Sequence, residues 1–168
     1  MGDLTHKEIK SKLLNPANLS SQEITELLEL QQKLKKSAGL TKKEVETMLL
    51  KPPKERYVYS IKRIAEQEEA WTLKIKEEIV VTGDDSGNYF YPVWPYKEFA
   101  LKCKIDEWKN CELKKLTLDN LLQRILPSLS KDGTKIAVFN IPNDPASITV
   151  SADDFLNNIL HECSKYEL

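Results

Sequence analysis

The chain has 168 residues, of which 40% are hydrophobic and 30% charged, a composition typical of a soluble globular protein that can bury one core. Its 25 basic and 26 acidic residues nearly cancel, so it lacks the positive field that attracts nucleic acid or anionic lipid. No apolar run approaches the roughly 20 residues that span a bilayer, and the first residues do not resemble a secretory signal. We therefore expect a cytoplasmic protein that does not enter membranes and does not have nucleic acid as its main partner.

A repeated N-capping pattern predicts where helices begin. Thr5, Ser20 and Thr41 each precede a glutamate by three residues, and such a pair satisfies two backbone N–H groups that a first helical turn leaves unpaired. An apolar residue before each cap and another five positions later form a hydrophobic staple. Thr117 and Ser151 keep the hydroxyl and the apolar pair. The sequence therefore predicts five helix starts at these positions.

Proline, glycine and hydrophobic periodicity predict the remaining elements in chain order. The predicted helices cover 5–14, 21–36, 42–50 and about 53–69, followed by a helix opened by Pro95, a helix over 118–126 and a final helix from Ser151. The predicted strands cover 70–75, 79–82, 89–93, 135–139 and 148–150. Pro92 cannot donate a ladder hydrogen bond, so strand 89–93 should lie at a sheet edge or end there. Pro127 should bend or end its helix.

This order of elements predicts an α+β fold with a mainly antiparallel sheet of about five strands, flanked by helices. The proline pair Pro52-Pro53 separates the first helices from the rest of the chain. We therefore expect residues 1–51 to form an N-terminal helical appendage and residues 52–168 to form the α+β core domain.

Several motifs after Pro52 occur in a distinctive order. They are Pro53-Lys-Glu-Arg-Tyr57, Glu69-Ala-Trp71-Thr-Leu73, Pro92-Val-Trp-Pro95, Leu126-Pro-Ser-Leu129, Asp132-Gly133 and Ile136-Ala-Val-Phe139. Over about two thirds of its length, the chain thereby resembles a bacterial family known as domain of unknown function 2750. The resemblance implies a small cytoplasmic bacterial protein and assigns no activity to it. The helices before Pro52 lie outside the resemblance.

The residue types that carry nucleophilic or metal chemistry are few and poorly spaced. The only histidines are His6 and His161, and on a helix His161 and Cys163 point about 200° apart. Cys103 and Cys111 are eight positions apart without a neighbouring histidine, which does not match a zinc site. We therefore predict no catalytic residue, no metal site and no cofactor, and we expect reduced cysteines with Cys103 and Cys163 buried.

Two other polar segments have ordinary structural interpretations. Residues 84–88 contain two aspartates and an asparagine, but they lack the ligand spacing of a calcium loop and favour a hairpin turn. The lysine-rich segments 33–36 and 114–115 have no interleaved aromatic residues, so we interpret them as solvated helix faces.

The segment Tyr89-Phe-Tyr-Pro-Val-Trp-Pro-Tyr96 concentrates aromatic residues and proline. In a strand its side chains alternate between two faces, one of which must meet the core. The other face could be covered by helices or could bind a partner, since tryptophan and tyrosine are favoured at binding hot spots. The candidate protein-binding surface comprises Tyr91, Trp94, Tyr96 and Trp108. We expect Tyr91, Tyr96 and Trp108 to be exposed; in the alternative interpretation, tryptophans such as Trp94 pack in the core or at its rim.

These observations predict a non-enzymatic protein-protein binding module with a protein partner of unknown identity. A sharper hypothesis is an immunity protein that neutralises a bacterial toxin. The alternative is an enzyme or a small-ligand sensor whose site the sequence does not reveal.

Overall fold

The computed structural model describes residues 4–37 and 40–166. The chain divides into two compact units, Met1–Gly39 and Leu40–Leu168. Within the described residues, no helix combines the length and the apolar content needed to cross a bilayer.

The first unit consists of two helices joined by a short 3₁₀ turn. Helix α1 covers His6–Leu14, the 3₁₀ turn covers Pro16–Asn18, and helix α2 covers Ser21–Ser37. Both predicted capping pairs form, because the backbone N–H groups of Thr5 and Ser20 each donate to the following glutamate at 2.7 Å.

The second unit contains all the strands of the described residues, and it confirms the predicted α+β class. Its helices are α3 (Lys42–Leu49), α4 (Pro53–Gln67), α5 (Lys97–Cys103), α6 (Leu118–Asn120), α7 (Leu126–Asp132) and α8 (Ala152–Ser164). Its strands are β1 (Glu69–Ile75), β2 (Glu78–Ile79), β3 (Thr82–Gly83), β4 (Tyr89–Val93), β5 (Glu112–Thr117), β6 (Lys135–Val138) and β7 (Ile148–Val150). The side chains of Thr41, Thr117 and Ser151 each accept a backbone N–H three residues later, which confirms the remaining predicted helix starts.

The division of the chain differs by one helix from the boundary expected after residue 51. Helix α3 lies in the second unit because Val45, on its inner face, is buried in the same hydrophobic core as Ile61, Ile64 and Phe99. The apolar face of a short helix such as α3 is stable only when another element covers it.

The strands form two sheets instead of one. One sheet has the order β2-β1-β5 and the other has the order β3-β4-β6-β7; every pair is antiparallel except β4 with β6. The sheets meet where Trp71 and Trp94 each donate a backbone N–H to the other's carbonyl at 2.8 Å. The predicted single strand 79–82 is therefore wrong, because Ile79 pairs with β1 whereas Thr82 pairs with β4.

The sequence patterns did not predict strand β5, although this strand pairs with β1 along six residues. Its sequence, Glu-Leu-Lys-Lys-Leu-Thr, breaks the apolar-polar alternation that marks a half-buried strand. The interpretation of Lys114 and Lys115 as a helix face is consequently wrong. Both lie on this strand, and the Lys115 ammonium is 3.8 Å from the Glu69 carboxylate on β1.

Two prolines lie inside continuous elements. Strand β4 is an inner strand and ends one residue after Pro92, so only the second of the two predicted placements holds. The helix that starts at Leu118 does not end at Pro127 but continues to Asp132 through a π-helical turn over Leu121–Ile125. The wider turn reduces the conflict between the proline ring and the backbone one turn earlier.

The sheet β3-β4-β6-β7 has one covered face and one open face. Helices α4 and α8 pack against β6, and Ile136 and Val138 of β6 are fully or almost fully buried. Side chains alternate along a strand, so Ala137 points to the opposite face together with its cross-strand neighbour Thr149. That opposite face carries the candidate site.

Candidate functional site

An open cleft with a volume of about 1030 Å³ lies on this second face of the sheet. Side chains from four neighbouring strands form its floor, namely Thr82, Phe90, Ala137 and Thr149. One wall is the segment 105–108, which contains the 3₁₀ turn Asp106–Trp108. The other wall is the loop between β6 and β7, residues 140–147. The cleft is therefore built entirely within the second unit.

Local hydrogen bonds fix the shape of the 140–147 loop. The Asp144 N–H donates to the Ile141 carbonyl at 3.1 Å, and the Ile141 N–H donates to Ser147 Oγ at 3.3 Å. The Trp94 indole N–H donates to the Asn140 carbonyl at 3.0 Å, which ties the start of the loop to the end of β4. A loop whose backbone groups are paired in this way presents a defined wall.

A buried arginine anchors the same loop to helix α4. Arg56 is only 3% exposed, and its Nη2 lies 2.7 Å from Asp144 Oδ2, while its Nη1 donates to the Lys51 carbonyl at 2.7 Å. The guanidinium carbon also lies 5.8 Å from the centre of the Phe139 ring. The hydrogen bond from Arg56, supported by the Ala146 N–H, holds the pKa of Asp144 below its usual value. Asp144 is therefore ionised, and Arg56 neutralises its charge.

Two residues that line the cleft and one that precedes its loop have the left-handed backbone conformation that favours glycine. They are Asp106 with φ 50°, Phe139 with φ 51° and Asn143 with φ 64°. This conformation is unusual for a bulky residue such as Phe139, and it persists only where packing holds it. The Phe139 ring is buried, with its centre 4.4 Å from that of Phe99. Core packing thus sets the direction in which the chain leaves β6 and enters the loop.

The charged side chains that line the cleft are all acidic. They are Asp84, Asp106, Glu107 and Asp144, and the described lining includes no lysine, arginine or histidine. Hydrogen bonds from the Asn88 side chain, then from the Asn88 and Ser86 backbone, lower the pKa of Asp84. These donors are neutral, and Lys135, whose charge also lowers the pKa of Asp84, makes no described ion pair with it. With Asp144 neutralised by Arg56, the lining carries a net negative charge.

The cleft offers little equipment for catalysis. Its lining residues include no cysteine or histidine, and Ser147 Oγ accepts a hydrogen bond from the Ile141 N–H without a neighbouring base among the described contacts. Cys103 lies in the core, where burial raises the pKa of its thiol to about 12. Among the described residues, no three histidine, cysteine or carboxylate side chains are grouped so that they could hold a metal ion. The arrangement can attract a positively charged side chain and can donate and accept hydrogen bonds.

The four residues predicted to form a protein-binding surface lie in different environments. Tyr91 is 3% exposed, Trp94 is fully buried, Trp108 is 7% exposed and Tyr96 is half-buried. The expected exposure of Tyr91 and Trp108 is therefore wrong. Trp94 packs in the core, as the alternative interpretation expected, with its ring centre 5.9 Å from that of Trp108 in an edge-to-face arrangement. Cys103 is buried as expected, whereas Cys163 is half-buried.

The structure brings Trp94 and Trp108 together, whereas Tyr91 and Tyr96 do not line the cleft. Trp108 lines the cleft, whereas Tyr96 packs against Tyr59, with ring centres 6.4 Å apart. That these aromatic residues contact a partner stays a prediction.

Sequence reasoning missed the Arg56–Asp144 pair, whose members are 88 residues apart. One signal was present in the sequence. Arg56 lies four and eight residues before Ser60 and Ile64, so an arginine occurs on the helix face that is otherwise buried. Long charged residues are almost never fully buried unless they are paired, so this position called for an acidic partner elsewhere in the chain.

The fold and the cleft together define a compact α+β unit with an acidic, open groove on one sheet face. The model of the family described as protein of unknown function (DUF2750) matches residues 57–159, more than half of the chain. The chain therefore belongs to this family, which confirms the resemblance seen in its motifs. No curated protein matches the chain.

Proposed function

We propose that this protein is a non-enzymatic module that binds a segment of another protein in the cleft. The observation that carries the proposal is the groove itself. It has an acidic and apolar lining, walls fixed by hydrogen bonds and core packing, and neither a histidine nor a cysteine among its described lining residues.

The shape of the cleft favours a protein segment over a small molecule. Sites for small ligands enclose most of the ligand surface and have volumes of roughly 300–1,000 Å³. This cleft, at about 1030 Å³, lies just above that range and is open to solvent instead of enclosed. An extended chain can occupy such a groove while its ends continue into solvent.

The state of the carboxylates favours binding over acid-base catalysis. Asp84 and Asp144 both have a lowered pKa, caused by the hydrogen bonds from Asn88 and Arg56 respectively. A general base is most effective when its pKa lies near the working pH, so these two groups are weak bases but persistent negative charges. Toxin neutralisation is a hypothesis about which protein is bound, and an enzyme is the competing class.

The proposal is tested by filling the floor of the cleft. Thr149 is exposed there, and Thr149→Arg places a bulky cation on the floor. Ser128→Arg is the matched control, because Ser128 is an exposed hydroxyl residue on α7 that does not line the cleft. Immobilised wild type and both variants are exposed to an extract of the source cells, and their captured proteins are compared by mass spectrometry.

We expect one protein to be retained by wild type and by Ser128→Arg but lost from Thr149→Arg. Circular dichroism and thermal unfolding establish that all three chains fold alike. Equal capture by Thr149→Arg would contradict the proposal, and so would a small molecule that co-purifies with wild type alone and leaves no room for a protein segment.

A further inference from the structure

We infer that the segment recognised by the cleft is an extended peptide that carries lysine or arginine side chains next to aliphatic ones. This inference rests on the proposed binding function and names the chemistry of the partner. It follows from the charges at the walls, the apolar surface between them and the position of one nearby lysine.

The acidic residues that line the cleft without a described ion pair lie on two different parts of it. Asp84 lies where the β3–β4 hairpin begins, and Asp106 and Glu107 lie on the 105–108 wall. All three residues are exposed. The buried Arg56 is already bonded to Asp144, so it is not available to balance them. A partner segment with cationic side chains complements this lining, whereas an acidic segment is repelled.

Apolar side chains lie between these charges. Phe90 is half-buried on the floor, Ile105 is 45% exposed on one wall, and Ile141 and Pro142 belong to the other wall. Lysine and arginine side chains lay their methylene stems along apolar surface while the charged group remains near water and carboxylates. Aliphatic neighbours in the segment would bury additional apolar area against the same residues.

Lys135 allows the sign of the charge on the bound segment to be tested. It lies opposite Phe90 in the β4–β6 register, and its charge acts on Asp84, although it does not line the cleft. A cationic segment is repelled by Lys135, so Lys135→Met should tighten its binding by about threefold, the size of one exposed charge interaction. An acidic or neutral occupant would bind Lys135→Met more weakly or equally well.

The probes are three capped synthetic peptides of equal length: alternating lysine and valine, alternating glutamate and valine, and alternating lysine and serine. Binding is measured by fluorescence anisotropy in physiological salt. We expect the lysine-valine peptide to bind wild type, the lysine-serine peptide to bind more weakly, and the glutamate-valine peptide not to bind. Thr149→Arg should abolish binding of the first peptide.

The decisive variants remove two carboxylates each. The double variant Asp106→Asn, Glu107→Gln should lower the affinity for the lysine-valine peptide about tenfold, because two charge interactions are lost. Glu77→Gln with Glu78→Gln is the matched control, because both residues are exposed near the β1–β2 turn and do not line the cleft. Equal losses in the two double variants would show general charge attraction and overturn the inference.

The inference and the proposed function can fail separately. If Thr149→Arg loses the natural partner but the Asp106/Glu107 variant keeps it at full affinity, the cleft binds a protein, and the inference that the bound segment is cationic is refuted. If Thr149→Arg keeps the natural partner, the proposed function is refuted. If the wild type is a dimer in light scattering and Thr149→Arg is a monomer, the occupant is a second copy of this chain, which overturns the inference.

Discussion

The two faces of the β3-β4-β6-β7 sheet share one backbone but differ in burial. On one face, Ile136 and Val138 are buried in the core beside α4 and α8. On the other face, Thr149 is exposed on the floor of an open cleft. The difference follows from the alternation of side chains along each strand, which turns one set toward the core and the other toward the cleft.

The largest expected effect is on the covered face. Ile136→Ala should lower the free energy of unfolding by about 4 kcal/mol, because it removes a fully buried side chain and leaves a cavity. Thr149→Ala, its counterpart on the open face, should change it by no more than about 0.5 kcal/mol. Urea unfolding monitored by circular dichroism measures both. Similar losses for the two variants would contradict the assignment of the faces.

A smaller effect is expected for the anchor of the cleft wall. Asp144→Asn should lower the free energy of unfolding at neutral pH by about 2 kcal/mol, because the buried Arg56 loses its charged partner. This is less than for a fully buried pair because the Asp144 side chain is 27% exposed.

The same pair predicts a dependence on pH. The pKa of Asp144 is lower in the folded state than in the unfolded state, so its ionisation stabilises the fold above the unfolded value of about 4. That contribution is lost as the pH falls through the lower, folded value. The stability difference between wild type and Asp144→Asn should therefore shrink on acidification, as measured by urea unfolding from pH 7 downward. A constant difference would show that the charge of Asp144 is not involved.

An effect smaller than that of Asp144→Asn is expected at Asn143, in the same wall. Asn143 has φ 64°, a conformation that asparagine and glycine tolerate and alanine does not. Asn143→Ala should cost about 1 kcal/mol, whereas Asn143→Gly should change stability by about 0.5 kcal/mol or less. Thermal unfolding of the two variants measures the difference. Equal stability would show that the loop adjusts its backbone and does not form a fixed wall.

Local chemistry made much of the fold predictable from the sequence. The five helix starts depend on residues within a few positions of each other, and all five caps form as expected. The turn at 84–88 also follows from its own residues, because Asp84 accepts hydrogen bonds from Ser86 and Asn88. Interactions of this kind do not depend on the rest of the chain.

Features that depend on distant residues could not be predicted. Strand β5 is a strand because β1 lies beside it, and residues 79–82 divide because their two ends meet different sheets. The aromatic strand β4 illustrates the same limit. Its alternation separates Tyr91 from Phe90, but only the packing of the helices decides which of the two faces is buried.

The sequence indicates some residues of the cleft but not how they come together. The buried position of Arg56 on its helix face signals an acidic partner, but nothing local to Asp144 identifies it as that partner. The acidic lining is likewise dispersed over the chain, from Asp84 to Asp144, and it is assembled by the order of the strands.

Site-specific photo-crosslinking tests whether the open face of the sheet contacts another protein. A photoreactive amino acid replaces Thr149 on the open face or, in the control chain, Leu160, which is exposed on α8. We predict that light joins the partner to the chain labelled at position 149 and not to the chain labelled at position 160. Crosslinking from position 160 alone would place the contact on the helical side of the molecule and contradict the proposed binding face.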